Sequence, residues 1–263
     1  MSEKKKARQP RILVYDIETS LQTVAVFGLA NNDWIQPENI ITERHVISVC
    51  WKWLGEKKMH SVSLLDDPKR FAADPHDDKY VLETFHKVMS EADCLVHHNG
   101  DSFDQKYLLT RMLKHGLPPL PPVSTIDTYK VAKQKFNFNS NKLDYIGRYL
   151  DLGGKMSTPK GLWLKVLVGD PKAIQTMVEY NKRDVTLLEN VFLKLRPYIP
   201  NHINRELYGA EGCPRCGSKK TQSRGTYYAQ TRTYRRWQCV GECKGWFRTL
   251  KTDKNSATKH RVL

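Results

Sequence analysis

The chain has 263 residues, of which 43 are Lys or Arg and 28 are Asp or Glu, so its formal net charge is +15. Hydrophobic residues make up 40% of the sequence, which allows a sizeable core and excludes a wholly disordered chain. No apolar stretch approaches the roughly 20 residues of a membrane helix, and the N-terminal Met-Ser-Glu-Lys-Lys-Lys is not a secretory signal, so we expect a cytoplasmic protein without a membrane partner.

The first half of the chain alternates predicted strands with predicted helices. Short runs of apolar and β-branched residues predict buried strands, whereas apolar residues spaced three and four apart predict helices. By these criteria we expect strands at 12–15, 46–53, 59–65 and 94–97, helices at 80–89 and 103–114, and a loop at 66–78, where Asp, Pro and Lys are frequent.

The second half of the α/β segment is mostly helical. Apolar spacing between residues 143 and 150 marks one amphipathic helix. A longer helix is expected to begin after Asp170 as its N-cap, with Pro171 in its first turn, and to end near Leu195. Strands followed by mixed helices and strands predict an α+β or α/β domain.

Three acidic segments carry the candidate chemistry. Asp16 and Glu18 lie at the end of the first strand and, being two residues apart, project from the same face. Asp104 falls in the first turn of a helix, whereas Tyr180 and Asp184 lie on adjacent turns of one helix face. Each segment alone also has a structural explanation: solvated acids at a strand end, an acid favoured at a helix N-terminus, and an acid paired with a basic neighbour on a helix.

Taken together, the segments resemble a known set of motifs. The set is Asp16 and Glu18, then Asn99 with Phe103 and Asp104, then Tyr180 with Asp184, and it resembles the three exonuclease motifs of the DEDD superfamily. That superfamily comprises the proofreading domains of DNA polymerases and related stand-alone 3′–5′ exonucleases on an RNase H-like fold. The Tyr-x-x-x-Asp ending resembles its tyrosine branch, because the histidine branch places His five residues before the last Asp, where this sequence has Glu179.

The resemblance spans about residues 11–196 and is greatest to small stand-alone relatives of family-B polymerase exonuclease domains, some of them phage-encoded. It implies an α/β fold whose RNase H-like mixed sheet is flanked by helices. It also implies a role in DNA replication or repair, in a bacterial or phage-infected cell.

The resemblance further implies a reaction in which two Mg²⁺ or Mn²⁺ ions assist phosphodiester hydrolysis. Asp16 would bridge both ions, Glu18 and Asp184 would hold the nucleophile-side ion, and Asp104 would help to hold the other. Tyr180 would aim the attacking water. Asn99 and Phe103 are expected on the nucleic-acid side, with Asn99 either contacting the nucleotide or ordering its loop. Asp127 fits a further catalytic carboxylate and a structural acid equally well.

Four of the six cysteines form two close pairs near the C-terminus. Cys213 and Cys216 are separated from Cys239 and Cys243 by 22 residues, a spacing that suits a tetrahedral Cys₄ zinc site in a zinc ribbon. Gly217, directly after Cys216, fits a turn whose backbone N–H groups donate to sulfur. Disulfides are the alternative, disfavoured because nothing in the sequence indicates an oxidising compartment. The remaining two, Cys50 and Cys94, are predicted to be buried in strands.

The cysteine module is also the basic part of the chain. Residues 203–263 contain 14 basic and four acidic residues, whereas 11–202 contain 25 and 23. Basic and aromatic residues alternate between the cysteine pairs and are expected to bind unpaired bases and phosphates. These candidates are Arg232, Tyr234, Arg235, Arg236 and Trp237. The alternative is that the aromatic residues form a small core and the arginines keep the module soluble.

The sequence therefore predicts a basic arm at 1–10, an exonuclease domain at 11–203, a zinc ribbon at 204–252 and a basic tail at 253–263. We expect a metal-dependent 3′–5′ exonuclease whose partners are 3′ ends of single-stranded DNA, together with replication or repair proteins. Two alternatives stay open. One is a nucleic-acid-binding protein without turnover, and the other is a transposase-like or resolvase-like endonuclease on the RNase H fold.

Overall fold

A central strand with four consecutive fully buried residues organises the fold. The computed structural model describes residues 8–26, 28, 35–154, 159–209 and 211–251, so the predicted tail and most of the predicted arm lie outside the described residues. The chain divides into a larger unit, Arg11–Lys130 with Phe138–Val191, and a smaller unit that takes the described residues of 1–10, 131–137 and 192–263.

The larger unit contains a five-stranded mixed sheet in the order β5-β4-β1-β6-β7. Strand β1 pairs antiparallel with β4 and parallel with β6, and β7 continues the parallel side. The strands are β1 (Ile12–Thr19), β4 (Val46–Trp53), β5 (His60–Ser63), β6 (Cys94–His97) and β7 (Ser124–Asp127), and a separate two-stranded ribbon joins β2 (Thr23–Val24) to β3 (Ile40–Thr42).

The run Ile12–Tyr15 is at most 1% exposed, as a strand covered on both faces requires. Strand β1 is longer than the predicted 12–15 and continues to Thr19. Asp16 and Glu18 therefore lie in the last four residues of the strand, opposite Cys50 and Ser48 of β4.

Seven α-helices are assigned in the described residues. They are α1 (Pro68–Ala73), α2 (Lys79–Ser90), α3 (Asp104–Lys114), α4 (Thr128–Lys135), α5 (Leu143–Tyr149), α6 (Leu162–Leu167) and α7 (Pro171–Leu195). Helix α2 buries Val81, Leu82, Phe85 and Met89, which belong to the same apolar cluster as the strand residues Leu13 and Tyr15. The predicted mixed sheet flanked by helices is confirmed.

The predicted loop at 66–78 is wrong, because it contains α1. Asp67 Oδ1 accepts a hydrogen bond from the backbone N–H of Arg70 at 3.1 Å, and Pro68 opens the helix in the position where its missing N–H costs nothing. The predicted long helix is confirmed, and Asp170 Oδ1 accepts from the backbone N–H of Lys172 at 2.9 Å at its start.

The smaller unit contains an antiparallel sheet in the order β10-β9-β8, which consists of β8 (Thr221–Tyr228), β9 (Thr233–Cys239) and β10 (Trp246–Leu250). Its buried cluster consists of the four C-terminal cysteines, with Phe247 packed against them. Within the described chain, no helix is both long and apolar enough to cross a membrane.

Candidate active site and cysteine cage

Three carboxylates from two distant segments meet at one face of the central sheet. Asp16 and Glu18 come from β1 and Asp184 comes from α7, and their ligand atoms lie within 4.8 Å of one another. Asp184 is 1% exposed, whereas Asp16 and Glu18 are half-buried. Three negative charges this close repel one another unless a cation lies among them, and their hard oxygen atoms are the ligands that Mg²⁺ and Mn²⁺ prefer.

Asn181, on the same helix as Asp184, fixes one of these carboxylates. Its Nδ2 donates a hydrogen bond to Asp16 Oδ2 at 2.8 Å, and its side chain is fully buried. The amide Oδ1 of Asn181 is buried without a hydrogen-bond partner among the described residues. Sequence reasoning did not assign Asn181 a function. It is polar at a position where α7 faces the sheet, which is a signal that could have identified it.

Asp104 lies beside this group but is not one of the three carboxylates within 4.8 Å. It begins α3 and is 5% exposed. Burial raises the pKa of Asp104 to about 6, although His97 and the backbone N–H groups of Asp104 and Ile17 favour its charged form. The contact with Ile17 places this carboxylate against the strand segment between Asp16 and Glu18.

Tyr180 lies on α7 one turn before Asp184 and is half-buried. The four-residue spacing places its side chain on the same side of the helix as the Asp184 carboxylate.

The turn after β6 is held by a buried polar network. Asp127 Oδ1 accepts hydrogen bonds from the backbone N–H groups of Asn99 at 2.8 Å and Tyr129 at 3.0 Å, and Asp127 Oδ2 accepts from that of Asp101 at 3.3 Å. Asp127 therefore acts as a structural clamp in this structure. It holds Asn99 at a φ of 65°, a left-handed conformation that Asn tolerates better than most residues.

Gly100 is required in this turn for space. A Cβ at Gly100 would lie 2.4 Å from Cγ of the buried His97 ring. Asn99 lines a cavity of about 640 Å³ together with Tyr129 of α4 and residues 140–144. The turn thus places Asn99 at an open cavity and Asp104 against β1.

Phe103 extends from the same loop into solvent. It is 37% exposed, and its ring stacks on Tyr107 at a centroid distance of 5.9 Å. The Arg44 guanidinium lies 5.9 Å from the Phe103 ring centroid and 6.0 Å from that of Tyr107. These three side chains form an aromatic and cationic surface, and Phe103 directly precedes Asp104 in the chain.

The four C-terminal cysteines form a cage in the smaller unit. Their sulfur atoms lie within 4.8 Å of one another, with Cys213 Sγ 3.6 Å from Cys243 Sγ and Cys216 Sγ 3.8 Å from Cys239 Sγ. A tetrahedral Zn²⁺ with Zn–S bonds of about 2.3 Å requires neighbouring sulfurs about 3.8 Å apart. All four are free thiols rather than disulfides, and the group is compatible with a zinc ribbon.

Backbone N–H groups surround these sulfurs. The N–H of Ser218 faces Cys216, that of Gly241 faces Cys239, and that of Gly245 faces Cys243. Such donors stabilise thiolates, the form in which cysteine binds a metal. The other cysteines, Cys50 and Cys94, are fully buried in β4 and β6, as predicted.

The predicted basic and aromatic strip divides between the two faces of β9. Tyr234 and Arg236 point to one face, whereas Arg235 and Trp237 share the other face with Cys239. Trp237 stacks on Phe247 at 6.3 Å, and its Nε1 donates to Thr249 Oγ1 at 3.0 Å. Exposed Arg232 lies just before the strand.

A sequence profile described as the RNase H superfamily matches residues 59–196. The matched stretch contains Asp104, Tyr180 and Asp184, and it begins after the strand that carries Asp16 and Glu18. The search of curated proteins finds no match for the chain. The profile confirms the predicted RNase H-like fold.

Among solved structures, the chain is similar to the family B DNA polymerase from the hyperthermophilic archaeon Pyrobaculum calidifontis. The two are 19% identical, with a TM-score of 0.53, and the match covers 79% of this chain and 26% of the polymerase. The chain thus spans about a quarter of that polymerase's length, and at this identity the similarity concerns the fold.

Proposed function

The chain belongs to the RNase H superfamily, and we propose that it is a metal-dependent 3′–5′ exonuclease that hydrolyses phosphodiester bonds in single-stranded DNA. The observation that carries this proposal is the convergence of Asp16, Glu18 and Asp184 within 4.8 Å. Protein folding does not gain from bringing three carboxylates together, because each added charge raises the cost of ionising the others. A site that binds divalent ions does gain from it.

The residues present fit two Mg²⁺ or Mn²⁺ ions. Asp16, Glu18 and Asp184 would hold them, with Asp104 contributing from the adjacent end of α3. When bound, a pair of such ions lowers the pKa of the attacking water and neutralises the charge on the leaving 3′ oxygen.

Two further residues of the site, Asn181 and Tyr180, orient a metal ligand and the attacking water. Asn181 holds the Asp16 carboxylate in a fixed rotamer by its 2.8 Å hydrogen bond. The Tyr180 hydroxyl forms a hydrogen bond with the attacking water and directs this water in line with the scissile bond. A neutral phenol is a poor general base, so we assign Tyr180 an orienting role.

The nucleotide side of the site is formed by the loop before α3. Phe103 presents an exposed ring on which a terminal base can stack, and Asn99 lines the neighbouring cavity. The 3′–5′ polarity and the tyrosine-branch assignment follow from the resemblance of Tyr180 and Asp184 to the third exonuclease motif.

We assign the cysteine cage to one structural Zn²⁺ and the module at 204–252 to a zinc ribbon that holds the strand. The sulfur separations of 3.6 and 3.8 Å fit tetrahedral thiolate ligation. The basic residues of this module attract a polyanion, so it supplies affinity while the carboxylates of the larger unit supply chemistry.

The test is a cleavage assay on single strands labelled at the 5′ end, with Mg²⁺ or Mn²⁺, comparing wild type with Asp184→Ala. We expect a ladder that shortens from the 3′ end, absent in the variant and without the divalent ion. Labelling the 3′ end instead should release labelled mononucleotide at once.

Two other results would contradict the proposal. Strands that bind but stay intact under every metal condition would indicate a binding protein without turnover. Cuts in covalently closed circular single strands would indicate an endonuclease.

A further inference from the structure

One face of the ribbon sheet is lined by alternating arginine and aromatic side chains. The register pairs Tyr227 with Tyr234 and Arg248 with Arg236 across neighbouring strands, so these side chains share one face. Trp246, two residues before Arg248, lies on the same face. We call this set, Tyr227, Tyr234, Arg236, Trp246 and Arg248, the ladder face.

Direct contacts hold the ladder face together. The Arg248 guanidinium lies 4.5 Å from the ring centroid of Tyr234 and 4.9 Å from that of Tyr227. The Arg236 guanidinium lies 5.6 Å from the Trp246 centroid. These contacts position the guanidinium groups, and Arg236 Nε also donates to the carbonyl oxygen of Arg224 at 3.1 Å.

The ladder face also forms a wall of a cavity. A space of about 610 Å³ lies between it and the segment containing Pro200 and His202, within the smaller unit. Tyr227, Arg236, Trp246 and Arg248 all line this space. Arg215 on the opposite side donates to the carbonyl oxygens of Trp246 at 2.7 Å and Ile199 at 3.3 Å, so it braces the wall.

The side chains that line the cavity carry the positive charge expected of an anion-binding site. Three arginines and no acidic residue are present among the described residues that form the cavity. Trp246 is 48% exposed and Tyr227 is 41% exposed, so both keep ring surface available to a planar ligand. A volume of this size is typical of a small-molecule site rather than of a packing defect.

We propose that this cavity is a nucleotide-binding pocket for single-stranded nucleic acid, in which an unpaired base stacks on Trp246 or Tyr227 while Arg236 and Arg248 bind the adjacent phosphates. A paired base cannot present its face to the pocket, because its neighbours in the duplex cover both sides. The pocket therefore selects unpaired strands. This inference rests on the proposed function in that the bound strand is the substrate of the nuclease site.

Binding is measured separately from cleavage. The full-length protein carrying Asp184→Ala, with zinc retained and no Mg²⁺ or Mn²⁺ added, is titrated into a fluorescent 20-nucleotide single strand and an equally long blunt duplex. Into this background are introduced Trp246→Ala, Trp246→Phe and Arg248→Ala. Lys219→Ala is the charge-matched control, since Lys219 is 84% exposed, pairs with Glu211 and does not line the cavity.

We expect Trp246→Ala to weaken single-strand binding by fivefold or more, the effect of losing about 1 kcal/mol or more of stacking. Trp246→Phe should restore most of the affinity. Arg248→Ala should weaken binding more than Lys219→Ala although each removes one positive charge, and the duplex should bind more weakly than the single strand.

The inference is overturned if Trp246→Ala and Arg248→Ala, each still holding one zinc per chain, bind the single strand as tightly as Lys219→Ala. It is also overturned if duplex and single strand bind equally. Failure of the nuclease proposal looks different, since wild-type protein would then leave 3′ ends intact while the ladder-face variants still lost binding.

Discussion

Asn181 and Asp16 are joined by a 2.8 Å hydrogen bond although 165 residues separate them in the chain. The bond ties α7 to β1 at the level of the acidic group. The amide donates to the Oδ2 atom of Asp16 and so fixes the orientation of this carboxylate. The same residue leaves its own Oδ1 buried and without a hydrogen-bond partner among the described residues, an unfavourable arrangement of the kind found at functional sites.

Asn181→Ala should therefore impair the reaction by loosening Asp16. We expect a 10- to 100-fold rise in the Mn²⁺ concentration that half-saturates activity, or a comparable loss of kcat, as for other residues that orient a metal ligand. Thr186→Ala, at an exposed position further along the same helix, is the control and should leave both quantities unchanged. A variant that loses stability but keeps the wild-type Mn²⁺ dependence would show that Asn181 is structural alone.

Asp184→Asn should raise stability while abolishing activity. Replacing one of three crowded carboxylates by a neutral amide of the same shape removes charge repulsion, so the free energy of unfolding without Mg²⁺ or Mn²⁺ should rise by roughly 1 kcal/mol. Thermal unfolding measured with and without Mn²⁺ tests this, and the Mn²⁺-induced rise in Tm should vanish in the variant.

The comparison variant for Asp184→Asn is Asp144→Asn, which removes a carboxylate paired with Arg148 on the surface. It should keep the Mn²⁺-induced rise in Tm. A destabilised Asp184→Asn protein that still gains stability from Mn²⁺ would argue against a metal site at this group.

Cys213→Ser should release the zinc and unfold the ribbon without abolishing the chemistry. Only Phe247 packs against the cysteine cluster among the described residues, so little apolar core remains to hold the module once the metal is lost. We expect zinc content to fall from one to none per chain, strand binding to weaken, and slow cleavage to persist at low salt. Ser223→Ala, on exposed β8, should keep the zinc. Complete loss of cleavage in an otherwise folded variant would contradict this division between the units.

Strand binding should depend steeply on salt. Each phosphate contacted by Lys or Arg releases a counterion, so log K falls with log[salt] with a slope of about −0.7 per contact on a single strand. Arg236→Ala should make this slope shallower by about that amount, measured by fluorescence anisotropy between low and moderate salt. A slope that does not change would exclude a phosphate contact by Arg236.

The sequence predicted the elements whose signals are local. Strand β4 matches its predicted limits, and α7 begins where its Asp170 and Pro171 signals indicate. The same reasoning missed α1, because the dense Asp and Pro residues around it are also typical of loops. The N-cap Asp67 and the first-turn Pro68 are helix signals in the sequence, but the Asp, Pro and Lys content of the segment favoured a loop.

Contacts between distant residues were beyond sequence reasoning. The pairing of Asn181 with Asp16 depends on how α7 crosses the sheet, and the resemblance to known motifs did not include it. Asp127 could be read as catalytic or structural until the backbone N–H groups around its carboxylate were located. In the ribbon, alternation predicted two faces of β9, but the side chains that β8 and β10 add to each face follow only from their register with β9.

The buried His45 should make the stability of the protein fall below neutral pH. Its Nδ1 lies 3.0 Å from Ser20 Oγ, and the residue is 1% exposed. Burial, followed by the neighbouring His76, lowers the pKa of His45 from 6.5 to about 4; Arg111 acts in the same direction, whereas Asp78 opposes it. The unfolded chain takes up a proton as pH falls through 6.5, whereas the folded protein does not until about pH 4, so this stability is complete above pH 6.5 and is lost progressively toward pH 4. At pH 5.5 the loss is about 1.4 kcal/mol relative to pH 8.

Urea unfolding of wild type and His45→Asn at pH 8 and pH 5.5 measures this loss. The variant should be less stable than wild type at pH 8, and its free energy of unfolding should fall by about 1.4 kcal/mol less between pH 8 and pH 5.5. Equal drops in the two proteins would show that His45 does not carry this pH dependence.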